Sequence, residues 1–370
     1  MNVDDRRIAI CQRMAAERLD CVVGIHDGTH FIETHNPVMV LSSFKSLGPA
    51  AAVLDRVGAL TLIVTPAWDA ERARGGCPTA RVVGADDIVE ALGRELGSIA
   101  GRAKMAISGL AAVSWAVASR IASAFPGVPS ADAILFDATM TKTGDEIAYA
   151  GRATRIAEHA YQRMLEIVRP GLSEDELAAE LCWYTRTLGA EDNFLLLCSG
   201  PHNRAVQPSN GRRMQAGDIV LAEITPSFRG QLAQICRTVV LGHAGDALRR
   251  NYDLVIEAMN AGIQAAVPGT PMSTVCRTIN SVFEARGYGK YCHPPHIRRR
   301  GHGLGFASNQ PGDVSLDNNT ILAPNMLFMI HPNQYLPETG YLLCGEPIVI
   351  TESGADALTA KQAALAQIAV

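Results

Sequence analysis

Short apolar runs alternate with amphipathic stretches through the first third of the chain, and their two periods predict the elements. Residues 4–19 (DDRRIAICQRMAAERL) space apolar side chains at helical intervals, and 20–25 (DCVVGI) read as a strand. The alternation continues as strand 58–65, helix 67–75, strand 80–84, helix 86–99, strand 104–110 and helix 111–125. Strands interleaved with helices argue for an α/β domain. At 125–135 (FPGVPSADAIL) two prolines and a glycine interrupt the pattern, which divides the chain into residues 1–128 and 129–370.

The second part is patterned differently. Residues 144–171 form one long amphipathic helix stopped by Pro170 and Gly171, and Ser173 with Glu176 makes a capping box that opens another. Strands follow at 193–200, 218–228 and 230–242. Two further long helices (247–267, 272–287) and strands at 327–336 and 340–353 close the chain. A helix pair with strands, given twice, predicts an internally duplicated α+β domain.

Composition narrows the function. A net charge of −4 over 370 residues provides no basic field for nucleic acid. No apolar run approaches the ~20 residues of a membrane span, and the charged start is not a signal peptide. Nine scattered cysteines, without CxxC pairs, suit thiols in a reducing cytoplasm. Neither GxGxxG after a strand nor GxxxxGK[ST] occurs, so nucleotide binding loses its usual loops.

Six stretches in one order carry a resemblance: KTGDEIAYAGRATRIAEHAY, VRPGLSEDELAAEL, AGDIVLAEITPSFRGQLAQICRTVVLG, RRRGHGLG, LAPNMLFMIHPNQYL and GEPIVITESGADALT. Over residues 140–355 the chain resembles the creatinase, aminopeptidase P, prolidase and methionine aminopeptidase superfamily. The resemblance implies an α+β pita-bread C-terminal domain, a duplicated helix pair plus a curved antiparallel sheet. It also implies an α/β creatinase-type N-terminal domain and a homodimer. In metallopeptidases of that superfamily, two aspartates, a histidine and two glutamates hold two metal ions. Those positions fall here on Glu223, Gln234, His302, His331 and Gly345, with Glu346 beside the last. Two substrate-handling histidines fall on Val206 and Asn309, and the substrate-holding glutamates of creatinase fall on Cys236 and His331.

With three of four acidic ligands replaced, two closely spaced cations lose most of their compensating charge. The expectation is therefore a creatinase-like hydrolase that needs no cofactor and cleaves a C–N bond in a small polar metabolite by acid–base catalysis, lyase chemistry being related. Glu223 would orient His302 or His331 as base, while Gln234, Cys236, Asn309 and Glu346 would hold substrate. His202 and Arg298 would touch it from neighbouring loops, the arginine as a carboxylate clamp. A second reading keeps one divalent metal ion on Glu223, His302 and His331, a two-histidine, one-carboxylate set. A third makes the fold a non-catalytic binding module. Two further groups are weaker candidates: His293, His296 and Cys292 as a zinc set, and His26, His30 and His35 in the first domain.

Overall fold

The computed structural model describes residues 3–97 and 103–370, with side chains from residue 5 onward; the end of the helix expected over 86–99 lies outside the described residues. The chain forms two compact units, Met1–Asp145 and Glu146–Val370.

In the first unit, strands β1 (Cys21–His26), β2 (Ala50–Asp55), β3 (Leu60–Val64), β4 (Arg81–Gly84) and β5 (Met105–Ser108) make one sheet in the order β4-β3-β2-β1-β5. The β1–β5 and β3–β4 pairs are parallel, and the other two are antiparallel. Parallel neighbours need a crossover, and between β3 and β4 it is α3 (Ala70–Gly76). That helix is numbered after α1 (Val3–Ala16) and α2 (Pro37–Ser42). Helices α4 (Ile88–Gly97), α5 (Trp115–Ala124) and α6 (Asp132–Thr139) complete the unit. Leu92, Leu96 and Ile121 pack on Val23, Ile25, Ile63 and Ile107 of the sheet. Three elements escape the sequence pattern. Strand β2 is rich in alanine, whose propensity hides a strand. The six-residue α2 depends on the Asn36 side chain, which accepts from Met39 N at 3.1 Å. Helix α6 begins inside the stretch 125–135 expected to be a boundary and runs past it.

The second unit has the expected pita-bread fold. Helices α7 (Gly144–Ile167) and α8 (Glu174–Thr187) precede strands β6 (Asp192–Gly200), β7 (Ile219–Phe228), β8 (Gln231–Leu232) and β9 (Ile235–Leu241). The motif then recurs: α9 (Asp246–Ala265), α10 (Met272–Glu284), β10 (Gly301–Gly303), β11 (Leu327–Ile330), the hairpin β12 (Gln334–Leu336) and β13 (Gly340–Leu342), and β14 (Glu346–Ile350). Short strands β15 (Ala355–Ala357) and β16 (Ala366–Ile368) finish the chain. One sheet runs β16-β9-β7-β6 with β8 on β7, the other β10-β11-β14-β15, and a bridge from Cys236 to Gly345 joins them. Helix α7 buries Ala150, Ala153, Ala157, Ala160 and Met164, a three-and-four spacing that faces Leu197, Ala222, Ile224 and Val239 of the first sheet. Small residues on that stripe let helix and sheet approach closely. The capping box is formed: Ser173 Oγ accepts from Glu176 N at 3.1 Å, and Glu176 Oε2 accepts from Ser173 N at 2.8 Å.

Candidate active site

Three expected strands are each broken, and the breaks hold chemistry. The stretch 230–242 breaks at Ala233 and Gln234, 327–336 at His331 to Asn333, and 340–353 at Leu343 to Gly345. Pro332 has no N–H to give a ladder. At the first break both flanking strands stay paired with β7, and at the last the chain leaves β12 for β11, with Cys236 N donating to Gly345 O at 3.3 Å.

Glu223 stands on β7 opposite Cys236 of β9. It is buried, and its Oε1 accepts from Asn333 Nδ2 at 3.0 Å and from the Cys236 thiol at 3.7 Å. Burial raises its carboxyl above the usual range, against the lowering effect of those two donors and of Arg299. The same burial, with the Glu223 charge, drives the Cys236 thiol far up, so this sulfur is a donor and not a thiolate. Asn333 ties the wall together, because its Oδ1 accepts from Cys344 N at 3.2 Å and its carbonyl accepts from Arg300 Nη1 at 3.0 Å.

His302 on β10 has Nε2 2.9 Å from Gln234 Oε1 and Nδ1 2.9 Å from the Gly303 carbonyl, two contacts that fix its ring plane. Gln234 Nε2 in turn donates to Thr225 Oγ1 at 3.1 Å. The His331 ring lies 5.1 Å from that of His302, centroid to centroid, at 59°. Its Nδ1 makes no hydrogen bond, and burial, then the His302 and Arg299 charges, push its imidazole well below the ordinary value. His331 is thus a buried neutral ring.

Glu223, Gln234, Cys236, His302 and His331 are therefore gathered in one place. Glu346 is not among them: it faces the other side of the sheet with Arg237, a buried ion pair at 3.2 Å, and also accepts from Ala363 N. The reason is the period of two, which sends neighbours 236 and 237 to opposite faces. Asn309 and Arg298 are exposed, the latter 3.5 Å from Asp313. His202 is exposed too, bonded to the Pro337 carbonyl at 3.0 Å and set edge-on to Tyr335. His296 stacks on Tyr335, and His26 pairs with His30 in the first unit, ring centroids 5.0 Å apart. Asn333 was missed from sequence, although its place two residues after His331 signals a shared direction.

The donor set does not fit a pair of metal ions. Position 234 carries a neutral amide already held by His302 and Thr225. Position 345 has no side chain, and a Cβ there would meet Met329 Cε at 2.5 Å and His331 Cβ at 2.7 Å. Among the described residues no three His, Cys, Asp or Glu side chains are grouped to hold a metal ion, and this holds for Glu223, His302 and His331 as well as for the histidines near Cys292.

Comparison with known proteins bears on these readings. The model of metallopeptidase family M24 matches residues 149–352. The uncharacterised peptidase YqhT of Bacillus subtilis is 30% identical over 227 residues, 60% of this chain and 62% of that protein. The Xaa-Pro dipeptidase of Pyrococcus furiosus is 28% identical over 231 residues, 62% and 65% of the two. The match thus spans less than two thirds of these relatives. Among solved structures, the X-Pro aminopeptidase of Thermotoga maritima superposes with a TM-score of 0.84 at 21% identity, covering 98% of this chain and 99% of that one. The prolidase of Pyrococcus horikoshii gives 0.82 at 21%, over 98% and 99%. At such identities the likeness is one of fold.

Two expectations are overturned here. Metal-independent, creatinase-like cleavage of a small metabolite gives way to a peptidase setting, because the family model is one of metallopeptidases and the relatives named by activity are Xaa-Pro dipeptidases. An expectation of no cofactor falls with it, since metal ions are the working groups of that family.

Proposed function

The chain belongs to metallopeptidase family M24, and from that premise we propose that its second unit is a hydrolase of the peptide C–N bond in short peptides. One observation supports this most: within the matched segment, Glu223 of β7, His302 of β10 and His331, just past the end of β11, stand in a buried polar wall. Polar side chains held in such a wall are costly unless they have partners, and here one buried nitrogen, His331 Nδ1, has none.

Because the residues at 234 and 345 do not build the family's metal pair, the roles derived are those of side chains alone. Glu223, its carboxyl raised by burial, holds a proton at Oε more readily than an exposed glutamate and is steadied by Asn333 and Cys236. His331 offers Nδ1 to the amide or carboxylate of a bound peptide. Gln234 fixes the plane of His302, so that one ring is set and the other stays open to substrate.

The test is a panel of Xaa-Pro dipeptides and tripeptides, with release of free amino acids followed by chromatography. It is run with chelator and with added Mn(II), Co(II) or Zn(II), which also reads the metal dependence. Turnover of one peptide under any of these conditions, lost in Glu223→Gln, is the expected result. No cleavage of any member under every condition overturns the proposal. A homodimer and a cytoplasmic setting belong to the same reading: nine free cysteines suit a reducing compartment, no helix of the described residues is long and apolar enough to cross a membrane, and light scattering on a sizing column reads the mass.

A further inference from the structure

A cavity of ≈ 440 Å³ lies between helix α10 and the segments on either side of β10. Arg298, Arg299 and Arg300 line it, together with Asn280, Cys276 and Cys292. Ligand pockets begin at about 300 Å³, so the space holds a small molecule.

Arg300 is the unusual member. It is 1% exposed, and its partners are neutral: Nε donates to Asn280 Oδ1 at 2.7 Å and Nη1 to the Asn333 carbonyl at 3.0 Å. Its Nη2 has no hydrogen-bond partner, and the group set against the guanidinium is the neutral Cys292 thiol. The guanidinium covers the Phe283 ring at 4.9 Å, and no carboxylate is paired with it. A guanidinium keeps its proton in proteins, so burial without a counter-charge cannot be relieved by neutralisation. Such a charge costs several kcal/mol unless an anion meets it. The two acids that line the cavity are otherwise occupied: Asp313 accepts from Arg299 at 2.8 Å and lies 3.5 Å from Arg298, and Asp317 accepts from Ser315.

We propose that this cavity is a binding site for a small organic monocarboxylate, whose charge offsets the uncompensated guanidinium of Arg300 and whose carbon skeleton lies on the apolar lining. Three arginines against two aspartates leave one net positive charge, which suits a monoanion better than a dianionic phosphate. Ile297, Pro294 and Leu316 supply the apolar lining. None of Glu223, Gln234, Cys236, His302 and His331 lines it, and it does not depend on the reaction proposed for those residues. Asn333 connects the two, its carbonyl held by Arg300 and its amide by Glu223.

Calorimetric titration of the full chain tests this, with butyrate and benzoate as carboxylates, butyramide as the neutral isostere, and inorganic phosphate. Saturable binding of a carboxylate is expected, absent for butyramide and weaker for phosphate. Arg300→Gln should reduce the affinity tenfold or more, with its melting curve recorded beside it. Because Arg300 is buried and its variant can misfold, Arg298→Ala serves as the exposed control that keeps the fold and lowers affinity severalfold by removing charge at the rim. No saturable carboxylate binding, equal binding of butyramide, tighter binding of phosphate, or affinity unchanged in a folded Arg300→Gln protein would each overturn the assignment.

Discussion

Among single residues, Glu223 and the buried histidines carry the charge-dependent behaviour. The folded-state carboxyl of Glu223 titrates above its unfolded value. The native state therefore binds more protons between the two values, and the contribution to stability present at low pH is lost as pH rises through the folded value. Glu223→Gln removes that penalty, so its unfolding free energy should gain on wild type between pH 4 and pH 8 in denaturant titrations. A gap independent of pH would show that the carboxylate is not desolvated. Histidines behave oppositely. Burial pushes His26 and His35 down to about 4 from 6.5, with His30 acting further on the first and Lys142 on the second. The unfolded chain then takes up protons that the native state refuses, and stability should fall as pH drops from 6.5 toward 4. His35→Asn should flatten that slope, as read from melting temperatures across the range. At this scale the sequence showed which residues stand at the family positions. It could not show that Gln234 and His302 bind each other or that Asn333 holds Glu223, because those contacts join segments 68 and 110 residues apart.

Elements were legible in proportion to their period. Helices α7 and α8 and strand β7 followed directly from spacing and from the capping box, whereas β2, α2 and α6 did not, being alanine-rich or short. Ser173→Ala removes one bond of the box and should cost about 1 kcal/mol in urea unfolding with the fold retained. Strand breaks at 233–234, 331–333 and 343–345 were hidden inside apolar runs that read as continuous. What interrupts them is tertiary: a proline, a change of partner strand, and close packing at Gly345. A methyl added at Gly345 meets Met329 and His331 side chains and the Ile330 carbonyl, so Gly345→Ala should destabilise by about 1–3 kcal/mol, in the range for overpacking. Crystallography of that variant should find the His331 ring displaced.

For the whole molecule, a two-part chain ending in a pita-bread unit was legible because six stretches agree in order as well as in kind. The reaction was not. Replacement of acidic residues suggested departure from peptides, yet the match over residues 149–352 places the chain in metallopeptidase family M24. Side-chain losses at 234 and 345 are local facts, while substrate class is a property of the whole pocket that a position-by-position comparison does not see. The most direct measurement is the initial rate of amino acid release from the best member of the Xaa-Pro panel, for wild type and Glu223→Gln side by side. A wild-type rate above background that falls at least tenfold in the variant, with unchanged circular dichroism, is the predicted result. Equal rates in both proteins, or no release by wild type in any metal condition, would contradict a peptide hydrolase built on Glu223, His302 and His331.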